Sequence, residues 1–144
     1  PYTDGSPVKR MTKRPKMYFW DTGLACHLAK VTDAASLKAG YLRGPMVETY
    51  IVNEIMKSHC NNGRSTGFHY FRDQGNEIDL VMASDGVLTL VECKSGMTYD
   101  AKDVKAFDRL DHSLLRVGPS CLVCLTENMY PLRKDVYALP VTSI

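Results

Sequence analysis

The dipeptide Asp85-Gly86, set between the apolar runs 78–83 and 87–91, constrains this chain more than any other feature. A two-residue type I′ turn needs positive φ at both central positions, and Asp-Gly supplies it at small steric cost. With that loop, Ser84 pairs with Val87, and counting outward pairs Ala83 with Leu88, Val81 with Leu90, Asp79 with Glu92 and Glu77 with Lys94. Side chains alternate along a strand with period two, so the eight residues from Ala83 and Leu88 outward are expected on one face. Directly opposed side chains have Cβ atoms roughly 4.5–5.5 Å apart. Two carboxylates, Asp79 and Glu92, would then face each other beside an apolar patch.

Like charges directly opposite destabilise a sheet, so this register implies a purpose other than stability. A divalent cation removes the conflict, and hard carboxylate oxygens are what Mg²⁺ prefers. Lys94, two residues past Glu92, would stand near the same centre, where it could orient or deprotonate a water or neutralise charge on a phosphate. The chemistry suggested is metal-assisted phosphodiester hydrolysis. The plainer alternative is an ion pair of Lys94 with Glu77 and Glu92 on a solvated sheet face.

Around this hairpin the chain reads as mixed α/β. The aromatic run 17–20 suits a strand or buried edge, and Asp21 suits the N-cap of a short helix through Lys30. Residues 31–43 read as a loop or helical turn. Gly44-Pro45 opens the most strongly patterned helix, with Val47, Ile51 and Ile55 at four-residue spacing and Glu48 at the margin of the apolar face. A strand over 67–72 precedes the hairpin, and a helix over 100–116 follows it, capped by Asp100 with Val104, Phe107 and Leu114 facing the core. Strands at 120–125 and 135–139 complete the set. The order helix, three strands, helix, strand, strand implies a mixed sheet with helices on its faces.

Glu48 on a helix, Asp79 on a strand and Glu92-Cys93-Lys94 on the next strand resemble the PD-(D/E)XK nuclease superfamily, which includes many restriction enzymes and archaeal Holliday-junction resolvases. The resemblance implies a restriction-endonuclease-like α/β fold with an α-β-β-β-α-β core. It implies a catalytic set of Asp79, Glu92, Lys94 and Glu48, in which Asp79, Glu92 and Glu48 hold Mg²⁺ or Mn²⁺ and Lys94 assists the attacking water on DNA. Ile78 stands where the superfamily usually has Pro before the Asp.

A closer resemblance covers most of the chain. "RPKMYFWDTGL", "GPMVETYIVNEIMK", "HYFRDQGNEIDLVM" and "VECKSG" are similar, in order and spacing, to the C-terminal domain of unknown function attached to many prokaryotic AAA+ ATPases. This implies that residues 1–16 are a basic linker from an ATPase and winged-helix-like part, that 17–144 form the nuclease-like domain, and that the ATPase part is a partner. The opening residues, with no initiator Met, are expected to start inside a longer parent protein or an engineered piece. The chain has no G-x-x-x-x-G-K-[ST] loop, so no ATP site is expected in it.

Composition narrows the remaining choices. At 144 residues with 44% hydrophobic and 24% charged residues, one globular domain is expected. No stretch nears the roughly 20 apolar residues of a membrane span, so no membrane partner and a soluble, cytoplasmic protein are expected. A net charge of +2 is too small to argue for DNA by itself. The case rests on placement: Lys9, Arg10, Lys13, Arg14 and Lys16 are either an arm contacting phosphates or a solvated linker. His69 and Arg72 lie on a neighbouring strand, either as substrate contacts or as plain exposed strand residues, and Arg72 is also a candidate partner for Glu77. Lys102, Lys105 and Arg109 mark the exposed side of the second helix.

The five cysteines are expected to be reduced. Cys121 and Cys124 have the spacing of half a zinc site, but their apolar setting fits a core strand, and His59-Cys60 fits a helix end. Beside the nuclease stand two other classes of function: a catalytically inactive module that binds nucleic acid or protein for the ATPase, and an interaction module acting only in regulation or oligomerisation.

Overall fold

The computed structural model describes residues 15–64, 66–111 and 113–144. The hairpin forms as the turn chemistry dictates. Asp85 and Gly86 have φ of 51° and 75°. They join β2 (Asn76–Ser84) to β3 (Val87–Cys93) in the register Ser84 to Val87, Ala83 to Leu88 and Val81 to Leu90, ending at Leu80 to Val91. A second tight turn, Gln74-Gly75 with φ of 45° and 82°, joins β1 (Gly67–Asp73) to β2.

Among the described residues, three helices precede the sheet: α1 (Thr22–Leu28), α2 (Ala34–Ala39) and α3 (Arg43–Asn61). Asp21 caps α1 by accepting from the Leu24 amide, and Asp33 caps α2 through Ser36. Pro45 falls in the first turn of α3, where its missing N–H costs no helical hydrogen bond. After β3 come a 3₁₀ segment (Ala101–Leu110) and β4 (Arg116–Val117), then β5 (Ser120–Cys124), β6 (Tyr130–Arg133) and β7 (Val136–Pro140). A last 3₁₀ turn covers Val141–Ser143.

The result is one seven-stranded mixed sheet in the order β1-β2-β3-β5-β7-β6, with β4 beside the start of β3. Strands β1, β2 and β3 are antiparallel neighbours, β3, β5 and β7 run parallel, and β6 returns antiparallel to β7. Each face of the sheet buries its own cluster. Ile51, Val52 and Ile55 of α3 pack with Leu80, Val91, Cys93 and Val123. Val104, Phe107 and Leu110 of the 3₁₀ segment pack with Val81, Leu88, Leu90 and Leu122. No helix among the described residues is long and apolar enough to cross a membrane.

The structure corrects three expectations. Residues 17–20 make no strand; Tyr18 packs beside α3 while Met17 stays 88% exposed. The expected helix over 100–116 is the shorter 3₁₀ segment, broken at Val104 (φ −114°, ψ 17°) and opened by an Asp100–Asp103 capping box. Val104, Phe107 and Leu110 recur at a spacing of three, which aligns side chains on a 3₁₀ helix, and Leu114 falls off that line to lie 83% exposed. The chain beyond it joins the sheet as β4.

The third correction concerns the faces of β2. His69 pairs with Val81, but Phe71 pairs with Ile78, so Tyr70 alone faces both Asp79 and Leu80. This β-bulge on β2 resets the alternation. Ile78 therefore packs in the same cluster as Val81. Glu77, next to it, turns to the α3 side rather than sharing a face with Val81 and opposing Lys94.

Phe107→Ala is expected to lower unfolding free energy by roughly 3–5 kcal/mol, whereas Leu114→Ala should change it by under about 0.5 kcal/mol. Urea denaturation of both variants checks the assignment, and comparable losses would contradict it.

Candidate cation site

The β2–β3 ladder ends at Leu80 and Val91, and Asp79 fills the gap that opens beyond it. Its Oδ2 accepts the Cys93 amide at 2.9 Å, standing in for a strand carbonyl. Its Oδ1 receives the Lys16 ammonium at 2.8 Å. The same Nζ lies 2.7 Å from Glu48 Oε1 and 2.5 Å from Glu77 Oε1. Three carboxylates from α3 and β2 thus converge on one positive charge. Burial would lower the pKa of Lys16, but Asp79, Glu48 and Glu77 outweigh it and the net shift is upward.

Each acid has a second partner that fixes it. Tyr18 donates its hydroxyl to Glu48 Oε1 at 2.9 Å, and burial together with the Glu48 charge raises the phenol's pKa. Arg72 of β1 grips Glu77 through two bonds of 3.0 Å, the planar fork a guanidinium offers a carboxylate. Glu77 takes Arg72 and Lys16 rather than Lys94, as the bulge requires.

Glu92 and Lys94 form the other half of the site. Lys94 Nζ donates to Glu92 Oε1 at 2.6 Å, and its backbone N–H donates to Val123 O at 3.0 Å. Glu92 is only 8% exposed, and burial followed by the charge of Asp79 pushes its pKa up to about 7 despite Lys94. Val91 and Cys93 face α3, so alternation along β3 sets Glu92 with Leu90 on the other side of the strand. Beyond the last ladder pair, Leu80 and Val91, the charge of Asp79 still acts on Glu92.

The predicted residues Glu48, Asp79, Glu92, Lys94 and Arg72 therefore belong to one linked cluster, in which Lys16 is central. Lys9, Arg10, Lys13 and Arg14 lie outside the described residues. Among the described residues, no group of three His, Cys, Asp or Glu side chains is arranged to hold a metal ion. The acids are drawn onto Lys16, Arg72 and Lys94 instead. Cys121 and Cys124 lie on β5, where burial raises both thiols, Cys121 to about 12, so they stay protonated in the sheet.

Sequence reasoning missed Lys16 as the cluster's counter-ion and Asn53 as an anchor. Asn53, 2% exposed, donates its side-chain amide to Phe19 O and Trp20 O, fixing the segment that carries Lys16. An Asn beside Ile51 and Val52 in an apolar helix face was the signal. A buried amide needs a partner.

The chain thus combines a seven-stranded mixed sheet with a partly buried acidic cluster where the β2–β3 ladder ends. The model of the family described as domain of unknown function DUF4143 matches residues 43–144, and the chain belongs to that family. No curated protein and no solved structure matches the chain.

The raised pKa of Glu92 fixes the sign of a pH effect. The folded chain holds this proton up to about pH 7, whereas the unfolded chain releases it near 4.5, so the folded state binds more protons in between and loses stability as pH rises. Stability is expected to fall by roughly 1–3 kcal/mol from pH 4.5 to 7.5 on account of Glu92, and Glu92→Gln should flatten that slope. Chemical denaturation at several pH values compares the two proteins, and parallel pH profiles would refute the assignment.

Proposed function

We propose that this domain is a PD-(D/E)XK-like nuclease module, the C-terminal part of an AAA+ ATPase, that hydrolyses DNA phosphodiester bonds with Mg²⁺ or Mn²⁺. The observation that carries the reading is the convergence of Glu48, Glu77 and Asp79 oxygens within 2.8 Å of one cationic nitrogen. Hard carboxylate oxygens suit these metals, and the ammonium marks where positive charge is wanted.

Asp79, Glu92 and Glu48 would hold the ion once Lys16 leaves the carboxylates it now bridges. When bound, it would act as a Lewis acid on the phosphate and lower the pKa of a water. Asp79 is held in place by the Cys93 amide, Glu48 by Tyr18, and Glu92 by Lys94. Lys94, 36% exposed, can reach substrate from that position to orient the attacking water or offset charge on the phosphate. Arg72, 40% exposed and fixed by Glu77, would offer an additional phosphate contact from β1.

One observation favours the second reading, a catalytically inactive module binding nucleic acid or protein for the ATPase. Lys16, Arg72 and Lys94 already supply the acids with partners. Cleavage of linear, branched and single-stranded DNA at millimolar Mn²⁺ or Mg²⁺ separates the two. The nuclease reading expects metal-dependent cleavage that falls by roughly 100-fold or more in both Asp79→Ala and Lys94→Ala. No metal-dependent cleavage by the native protein, with DNA binding retained in both variants, would establish the inactive module.

A further inference from the structure

We infer that Lys16 is a displaceable internal counter-ion, a plug carried on the segment before α1 that must leave the acidic cluster before a divalent cation can enter. The inference rests on the cation-binding reading above and concerns the control of that site. Its basis is positional. The ammonium is the common neighbour of Glu48, Glu77 and Asp79, at 2.7, 2.5 and 2.8 Å. A metal using Glu48 and Asp79 together would need the space that Nζ now fills.

The segment is attached so that the plug can move without the strap. Among the described residues, its anchors follow Lys16 in the chain: the Tyr18 hydroxyl on Glu48, the Phe19 and Trp20 carbonyls on Asn53, and the Trp20 ring under Lys57 at 5.6 Å. Immediately afterwards Asp21 caps α1. Pro15, before Lys16, is exposed. Rotation about the four-carbon stem of Lys16 would withdraw the ammonium while the contacts to Asn53 and Lys57 remain.

The charge balance favours exchange. Among the described residues around Nζ, three carboxylates face two cations, Lys16 and Arg72, leaving one negative charge in excess (3 − 2 = 1). An ammonium offers one charge and three donors, whereas a divalent ion brings two charges and can accept several carboxylate oxygens at once. A tethered competitor acts at high effective concentration, so it weakens apparent metal affinity without abolishing it. Lys16 would thereby set the metal concentration at which the site fills.

The test is calorimetric titration of Mn²⁺ into the native protein, Lys16→Met and Lys16→Arg, with thermal unfolding measured with and without the metal. The expected result is at least about tenfold tighter Mn²⁺ binding in Lys16→Met and near-native affinity in Lys16→Arg, which keeps a cation in place. Lys16→Met should also melt lower than the native protein without metal and recover with Mn²⁺. Equal Mn²⁺ affinity in all three proteins would overturn the plug while leaving the cation site intact. No Mn²⁺ binding by any of them, with folding confirmed by unfolding curves, would overturn the plug together with the cation reading on which it rests.

Discussion

The carboxylate of Asp79 joins the sheet to the site, and the rest of the cluster depends on how it is held. One oxygen receives the Cys93 amide, a β3 donor left without a strand partner where the ladder ends. The other receives Lys16. A buried backbone donor without an acceptor is costly, so the acid satisfies the sheet as well as serving the cluster. The bulge at Asp79 and Leu80, the end of the β2–β3 ladder and the binding of Lys16 are therefore one arrangement. Shifting β2 by one residue would change all three, because it would move Asp79 from the gap and reverse the neighbouring faces.

The local parts of this arrangement were legible in the sequence. Asp85-Gly86 set the hairpin register through five consecutive pairs, and Val47, Ile51 and Ile55 identified the buried side of α3. Asp21 and Asp100 announced helix starts because short acidic side chains meet free amides there. What escaped was decided by partners distant in the chain. The bulge exists where Tyr70 of β1 faces two residues of β2, and no periodicity within β2 alone reveals that. Strands β4 and β6 are too short to show alternation, and Pro131 in β6 argues against a strand until its place at the sheet edge is known.

The candidate site was legible as a set and not as a geometry. Glu48, Asp79, Glu92 and Lys94 were singled out from spacing and resemblance, and the fold gathers them. Their expected common face did not form, because alternation holds along β3 but is reset in β2. Lys16 was read with a run of cations, where composition gives no reason to distinguish it from its neighbours. Its role comes from Tyr18, Asn53 and the turn into α1, which bring the segment across α3 to the acids. Thirty-two residues separate Lys16 from Glu48 and sixty-three from Asp79, beyond the reach of any local pattern.

Among the described residues, Glu48, Glu77, Asp79 and Glu92 are met by Lys16, Arg72 and Lys94, which leaves one acid in excess (4 − 3 = 1). The fold resolves this at Glu92, where burial and the charge of Asp79 favour the protonated form up to about pH 7. A proton is the smallest positive charge able to balance the cluster, and it sits on the acid farthest from Lys16 in the network of ion pairs. Bringing a divalent ion to these carboxylates would make both the Glu92 proton and the Lys16 ammonium surplus. Charge balance therefore couples three things: the protonation of Glu92, the position of Lys16 and the filling of the site. An inactive module with the same acids would keep the same ion pairs, so the two readings of function share one electrostatic frame and differ in whether its positive charges can be exchanged.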